Sequence, residues 1–187
     1  RQFWSEYGAP ESDKALQAVV KLCWQNDYRE VQYFGLDTII KRQKHLSPGF
    51  IKTLEWLVRK KSWWDTVDKL ASPIIGTHFQ NYPDLIPAYT KKWCNANNIW
   101  INRIAILFQL RYKNKTDENL LYSLMEQMSD SEEFFIQKAM GWALREYSKT
   151  NSFSVVDFIR STKLPALTKR EAWKWMKAKG VVILDIE

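Results

Sequence analysis

Apolar residues recur at intervals of three and four along nearly the whole chain, and the strict alternation that marks β-strands is almost absent. Breakers are sparse, with six Gly and six Pro in 187 residues, and they cut the periodic stretches into pairs. The spacing predicts helices over 12–24 and 28–44, then 48–60 and 63–81, the latter carrying Pro73 in its middle. Three further pairs follow: 83–96 with 99–113, 117–128 with 132–149, and 153–160 with 169–179. Helix starts are expected at Ser47-Pro48, Thr116-Asp117-Glu118 and Asp130-Ser131-Glu132-Glu133. Another is expected at Thr168, with Glu171 three residues on, where a side-chain oxygen followed by an acid satisfies the unpaired N–H groups of a first turn.

The pairs repeat. The second helix of each opens on an aromatic, Tyr28, Trp64, Trp100 and Phe135, at steps of 36, 36 and 35 residues, and a fifth helix near Arg170 follows at a similar distance. That is the period of helical-hairpin solenoids. Two helices have no way to bury their own apolar faces, so successive pairs stack, and a small constant rotation per pair bends the stack. The expected fold is all-α, a single domain over 1–187 built as a curved superhelix (solenoid) of HEAT-like antiparallel helical pairs. No tetratricopeptide or ankyrin consensus is visible. The chain opens at Arg1 and not at Met, and its N-terminal helices are expected to be incomplete.

The second helices then line the concave face with repeated positions in register. Counting each from its leading aromatic as zero, Trp64 stands at zero, Asp68 at plus four, Arg103 at plus three and Trp142 at plus seven. Those offsets share one helical face. Two indoles, a carboxylate and a guanidinium can converge on one stripe, joined by Lys138 at plus three and Arg145 at plus ten. Plainer readings stand beside this one. Aromatics at helical spacing are more often core, as Trp24, Trp56, Trp93 and Trp173 are read to be. Asp68 and Arg103 could form an interhelical ion pair, and Lys138 and Arg145 could be a solvated face.

Composition narrows the chemistry. Twenty-eight Lys and Arg against 21 Asp and Glu leave a net charge of +7, which favours a polyanion such as nucleic acid or an anionic surface. Two cysteines, Cys23 and Cys94, on separate helices, are too few for a disulfide framework and lack the paired spacing of a zinc site; they read as reduced, buried thiols. His45 and His78 stand alone, and no metal or cofactor is expected. No run approaches a membrane span and no charged-then-apolar leader opens the chain, so a soluble, cytoplasmic protein without membrane contact is expected. The absence of a Cys/His cluster, a Gly-rich phosphate loop and a Ser-His-Asp order removes zinc deaminases, nucleotide hydrolases and the common hydrolases.

Three segments carry a resemblance: Ser62-Trp63-Trp64-Asp65-Thr66-Val67-Asp68, then Asn98 through Leu110 (NIWINRIAILFQL), then Glu133 through Tyr147 (EFFIQKAMGWALREY). In this order and at these separations they resemble the DNA alkylation repair glycosylases of the AlkD type, and the similarity runs from about Leu22 to about Lys177. The resemblance implies a stack of HEAT-like helical pairs, an additional N-terminal helical pair preceding this chain that helps hold DNA, and excision of cationic N3- and N7-alkylated purines. It implies Asp68 as the catalytic carboxylate, Trp64 and Trp142 as aromatic walls, and Arg103 as a DNA-backbone contact. It also implies cleavage without extruding the base, unlike most glycosylases.

The chemistry fits these residue types. Alkylation at N3 or N7 puts a positive charge on the purine and makes it a good leaving group, so the transition state is oxocarbenium-like at the sugar. A carboxylate beside C1′, here Asp68, stabilises that cation and orients water. Indole faces, here Trp64 and Trp142, favour a cationic base over a neutral one. Arg103, Lys138 and Arg145 would hold phosphates without reading sequence. No lysine stands as an obvious amine nucleophile, so a monomeric, monofunctional enzyme that hydrolyses alkylated purines from double-stranded DNA and leaves an abasic site is expected. Two rivals remain: a relative that binds branched or distorted DNA without cleaving it, and a protein–protein scaffold, the commonest use of helical solenoids.

Overall fold

Side-chain oxygens of Ser12, Asn98, Asp117 and Asn151 each open a helix. In a computed structural model, which describes residues 2–181, every regular element is helical. The order is α1 (Gln2–Tyr7), α2 (Asp13–Gln25), α3 (Arg29–Arg42), α4 (Ile51–Arg59), α5 (Trp64–Lys69), α6 (Thr77–Asn81), α7 (Ile86–Cys94), α8 (Ile99–Leu107), α9 (Glu118–Gln127), α10 (Phe134–Tyr147), α11 (Ser152–Ser161) and α12 (Ala166–Ala178). The all-α architecture read from the sequence is the one observed. No helix among the described residues is long and apolar enough to cross a membrane. The chain forms two compact units that divide between Ile86 and Pro87.

In the first unit, the Ser12 hydroxyl accepts from the Ala15 N–H at 3.2 Å and starts α2. The apolar stripe of α2, with Leu16 and Val20 fully buried, packs on α3 at Gly35. A Cβ at Gly35 would lie 3.1 Å from the Cys23 Cβ and 3.2 Å from the Trp24 ring, so the small residue permits the close approach. The Trp24 indole N–H donates to the Leu57 and Lys60 carbonyls at 2.9 and 3.0 Å and satisfies the end of α4, whose last carbonyls have no helical partner. Several bonds join residues 36 apart: Gln17 to Thr53 at 2.6 Å, Trp24 to Lys60, and Tyr82 to the Leu46 carbonyl at 2.6 Å. The period read from the leading aromatics is thus realised as bonds between equivalent positions of stacked pairs.

Two differences from the expected elements have clear causes. The single helix over 63–81 is divided into α5, a π-helical stretch Leu70–Gly76, and α6. Pro73 has no N–H to donate to the Lys69 carbonyl and its ring crowds that carbonyl, so the ladder widens there without breaking. Helix α1, not anticipated, is six residues long, too short to show a period. It is secured through tertiary contact, with Trp4 stacked on Phe34 at 5.2 Å.

In the second unit, Asn98 opens α8 by accepting from the Trp100 and Ile101 N–H groups, Asp117 opens α9 by accepting from Leu120, and Asn151 opens α11 by accepting from Ser154. Helix α8 ends at Leu107, six residues before the expected boundary, and a turn and a 3-10 segment, Lys113–Lys115, lead into α9. Helix α10 starts after Glu133, which makes no side-chain cap; the Ser131 hydroxyl accepts from the Glu133 N–H one step earlier. The Thr168–Glu171 signal is also corrected. Pro165 precedes the first residue of α12, and Thr168 and Glu171, 0% and 4% exposed, lie inside that helix and face α10. The Thr168 hydroxyl donates to the Gln137 carbonyl at 3.0 Å. At Gly141 a Cβ would fall 2.5 Å from the Glu171 Cβ and 2.8 Å from the Thr168 carbonyl oxygen, so α10 and α12 touch backbone to backbone.

Candidate functional site

In the first unit, α5 presents two of the expected residues. Trp64 is its first residue and is 48% exposed, an unusual position for an indole, and Asp68 lies one turn along, half-buried. Trp63, in extended conformation before the helix, is equally open at 47%. The other carboxylate of the helix, Asp65, has a structural commitment. Arg29 Nε donates to it at 3.1 Å, with a second bond from Arg29 Nη2, and the Tyr33 hydroxyl and the Thr66 N–H donate to it as well. Burial alone would raise the Asp65 carboxyl; the bonds from Arg29 and Tyr33 outweigh that and hold it below its ordinary value. Arg29 and Asp65 are again 36 residues apart, each one place after a leading aromatic, so the repeat itself carries the signal for this pair.

In the second unit, Arg103 on α8 is 5% exposed, and its Nη1 donates to the Phe135 carbonyl at 2.5 Å, in the first turn of α10. Trp100 and Phe135 pack at 4.9 Å beside this bond. Lys138, Trp142 and Arg145 share one face of α10 at spacings of four and three, each half-buried. Both cations reach across to Glu171 on α12: Lys138 Nζ lies 2.8 Å from Oε1 and Arg145 Nη1 2.9 Å from Oε2. Lys174 joins at 2.6 Å. One carboxylate therefore organises three cations, and the cluster keeps an excess of two positive charges. Burial would raise the Glu171 carboxyl, but hydrogen bonds from Lys138 and Lys174 outweigh it and hold the group at about 2.

The structure thus sets Trp64 beside Asp68 in the first unit, and gathers Arg103, Lys138, Trp142 and Arg145 around α10 in the second. Glu171 is the member that sequence reasoning misses, because its spacing from Thr168 is that of a helix cap. His78, expected to stand alone, is 1% exposed with Nε2 3.3 Å from the Pro48 carbonyl oxygen, and burial lowers its pKa. Cys23 and Cys94 are both free thiols, Cys23 buried and Cys94 half-buried, and burial pushes the Cys94 thiol up to about 11. Among the described residues no group of three or more His, Cys, Asp or Glu is placed to hold a metal ion.

Comparison with known proteins converges on one family. Residues 1–176 match the family model of the DNA alkylation repair enzymes. A solved structure of a predicted DNA alkylation repair enzyme from Enterococcus faecalis superposes with a TM-score of 0.85 at 31% sequence identity, over 94% of this chain and 81% of that one. No functionally curated protein matches the chain in sequence. A family match over nearly the whole chain, joined to a structural likeness at this identity, is decisive: the chain belongs to the DNA alkylation repair enzyme family.

Proposed function

We propose that this chain is a monofunctional DNA glycosylase that hydrolyses the N-glycosidic bond of cationic N3- or N7-alkylated purines in duplex DNA. The observation that carries the reading is the pairing on α5 of a half-exposed indole, Trp64, with a carboxylate one turn away, Asp68. The leaving base already bears a positive charge, so the reaction needs stabilisation of positive charge at C1′ more than a general acid. Asp68 would stabilise the oxocarbenium-like sugar and orient the attacking water. Trp64 and Trp142 would favour the cationic base and the sugar C–H edges through their ring faces, worth about 0.5–2 kcal/mol each where water is excluded. Lys138 and Arg145, preorganised by Glu171 with positive charge to spare, supply phosphate contacts. Arg103 fixes the start of α10 through the Phe135 carbonyl, and its role as a DNA-backbone contact is carried by the family resemblance, since its side chain is 5% exposed. No base extrusion is required, and the product is an abasic site in an unbroken strand.

The test is single-turnover release of methylated purine from a duplex carrying one N7-methylguanine, with Asp68→Asn in parallel. The variant is expected to release base about 100-fold or more slowly while retaining DNA affinity. Equal release by both proteins would overturn the role of Asp68. No release by either, with binding intact, would make this a non-catalytic DNA-binding member of the family. Capture of a covalent adduct by borohydride would overturn the monofunctional assignment.

A further inference from the structure

Two cavities open on the second unit, and they share Leu110, Lys113 and Glu146. One, of about 430 Å³, is lined by Leu110, Arg111, Lys113, Trp142 and Glu146. The other, of about 260 Å³, continues from Lys113 to Lys149 and Thr150. The loop that supplies the cations is built to hold its form. Buried Gln109 clamps its two ends: its Oε1 accepts from the Asp117 N–H at 2.8 Å and its Nε2 donates to the Asp117 carbonyl at 3.2 Å. Turn bonds from Tyr112 to the Gln109 carbonyl, from Lys115 to Tyr112 and from Thr116 to Lys113 close it internally, and the buried Tyr112 ring packs edge-on against Phe108.

Lys113 sits in this loop at φ +54°, the left-handed region that side chains other than Gly, Asn and Asp seldom occupy. Asn114, a residue suited to that conformation, stands next to it. Strain of this kind concentrates where a side chain is wanted for a purpose. What Lys113 adds is charge. With Arg111, also exposed, it lines the Trp142 cavity, and the one acid in both linings, Glu146, is paired with Lys149 at 2.5 Å. With Lys149 spent on Glu146, Arg111 and Lys113 remain as two cations in a groove lining that also includes the Trp142 indole.

We infer that this groove is a clamp for a phosphodiester of the DNA backbone, held by Arg111 and Lys113 beside the nucleotide that meets Trp142. The inference rests on the reading of Trp142 as a wall facing DNA. The test is equilibrium binding of a short undamaged duplex across a salt titration, with Lys113→Asn and Lys113→Arg in parallel. Asn tolerates the left-handed backbone, so the fold is kept while the charge is removed. Each phosphate contact contributes about 0.9 to the slope of log affinity against log salt, so Lys113→Asn is expected to lower the slope by about one, with an unchanged or higher Tm, and Lys113→Arg to preserve it. An unchanged slope in Lys113→Asn overturns the clamp, as does a loss of binding accompanied by a fall in Tm. Inorganic phosphate added at constant ionic strength separates the two sources of the ligand. Saturable displacement of the duplex from the unsubstituted protein and not from Lys113→Asn would make this a site for free phosphate and overturn the backbone assignment. Undamaged duplex needs no chemistry, so a protein that releases no base can still pass this test, and an active glycosylase can still fail it.

Discussion

Asp65 and Asp68 lie three residues apart on α5 and have different parts in the proposed reading. Asp65 is held by Arg29, Tyr33 and the Thr66 amide, and those bonds fix it as a deprotonated anchor between α3 and α5. Asp68, one turn from exposed Trp64, is the carboxylate whose substitution is expected to slow base release about 100-fold or more while DNA affinity is retained. Lys113 gives the complementary case, in which the removed group is expected to matter to affinity and to the salt slope and not to stability. Glu171 belongs to neither class. Its carboxyl is held at about 2, well below the ordinary 4.5, so its contribution is fully present above about pH 4.5 and is lost as pH falls toward 2. Lys138 and Lys174 are partly open to water, which screens the pairs, so the loss is on the order of 2 kcal/mol. Urea unfolding at pH 5 and pH 3 is expected to show it, and Glu171→Gln to flatten the difference between the two while weakening the protein at both. An equal pH 5 to pH 3 loss in the variant would remove Glu171 from the account.

At the scale of elements, α10 is the organising piece of the second unit, because α8, α11 and α12 all pack on it. Its contact with α12 has no slack at Gly141, where an added Cβ meets the Glu171 Cβ and the Thr168 backbone and not a movable side-chain tip. Gly141→Ala is therefore expected to cost about 1–3 kcal/mol through overpacking, read from the midpoint of urea denaturation. Trp142 follows directly in the chain, so the same substitution should also slow base release at a temperature where the variant is folded. A stable, fully active Gly141→Ala protein would show that α12 yields, and that the α10–α12 contact does not set Trp142. The π-helical stretch around Pro73 has the opposite character: it absorbs a missing hydrogen bond by widening, and α5 and α6 continue on either side of it.

For the whole molecule, an excess of seven positive charges sets how it meets DNA. In the proposed reading, Arg111, Lys113, Lys138 and Arg145 would give a duplex several phosphate contacts on the second unit alone. Undamaged duplex affinity is therefore expected to fall by more than tenfold between 50 and 200 mM salt, by the counterion release that accompanies about three or more such contacts. An affinity insensitive to salt would point to the scaffold reading in place of DNA.

Much of this was legible in the sequence, because it depends on local periodicity. Three- and four-residue apolar spacing is a property of neighbouring positions, so helix existence and the 36-residue period could be read directly, and the latter reappears as bonds such as Gln17–Thr53 and Trp24–Lys60. The offsets of Trp64 and Asp68 on α5, and of Lys138, Trp142 and Arg145 on α10, needed only helical geometry. Long-range partners were not legible. Thr168 and Glu171 have the spacing of a helix cap, but the same spacing places two residues on one helical face; only the approach of α10 at Gly141 decides that they are buried there, gathering Lys138 and Arg145. The left-handed backbone of Lys113 was hidden for the same reason, since its conformation is imposed by Gln109 and Asp117 closing the loop and not by its own preference. The sequence by itself determined which residues form helices and which side chains share a helical face, because those follow from neighbours along the chain. Which charges are spent on structure and which backbone is strained was decided by tertiary packing alone, because both depend on groups brought together from distant positions.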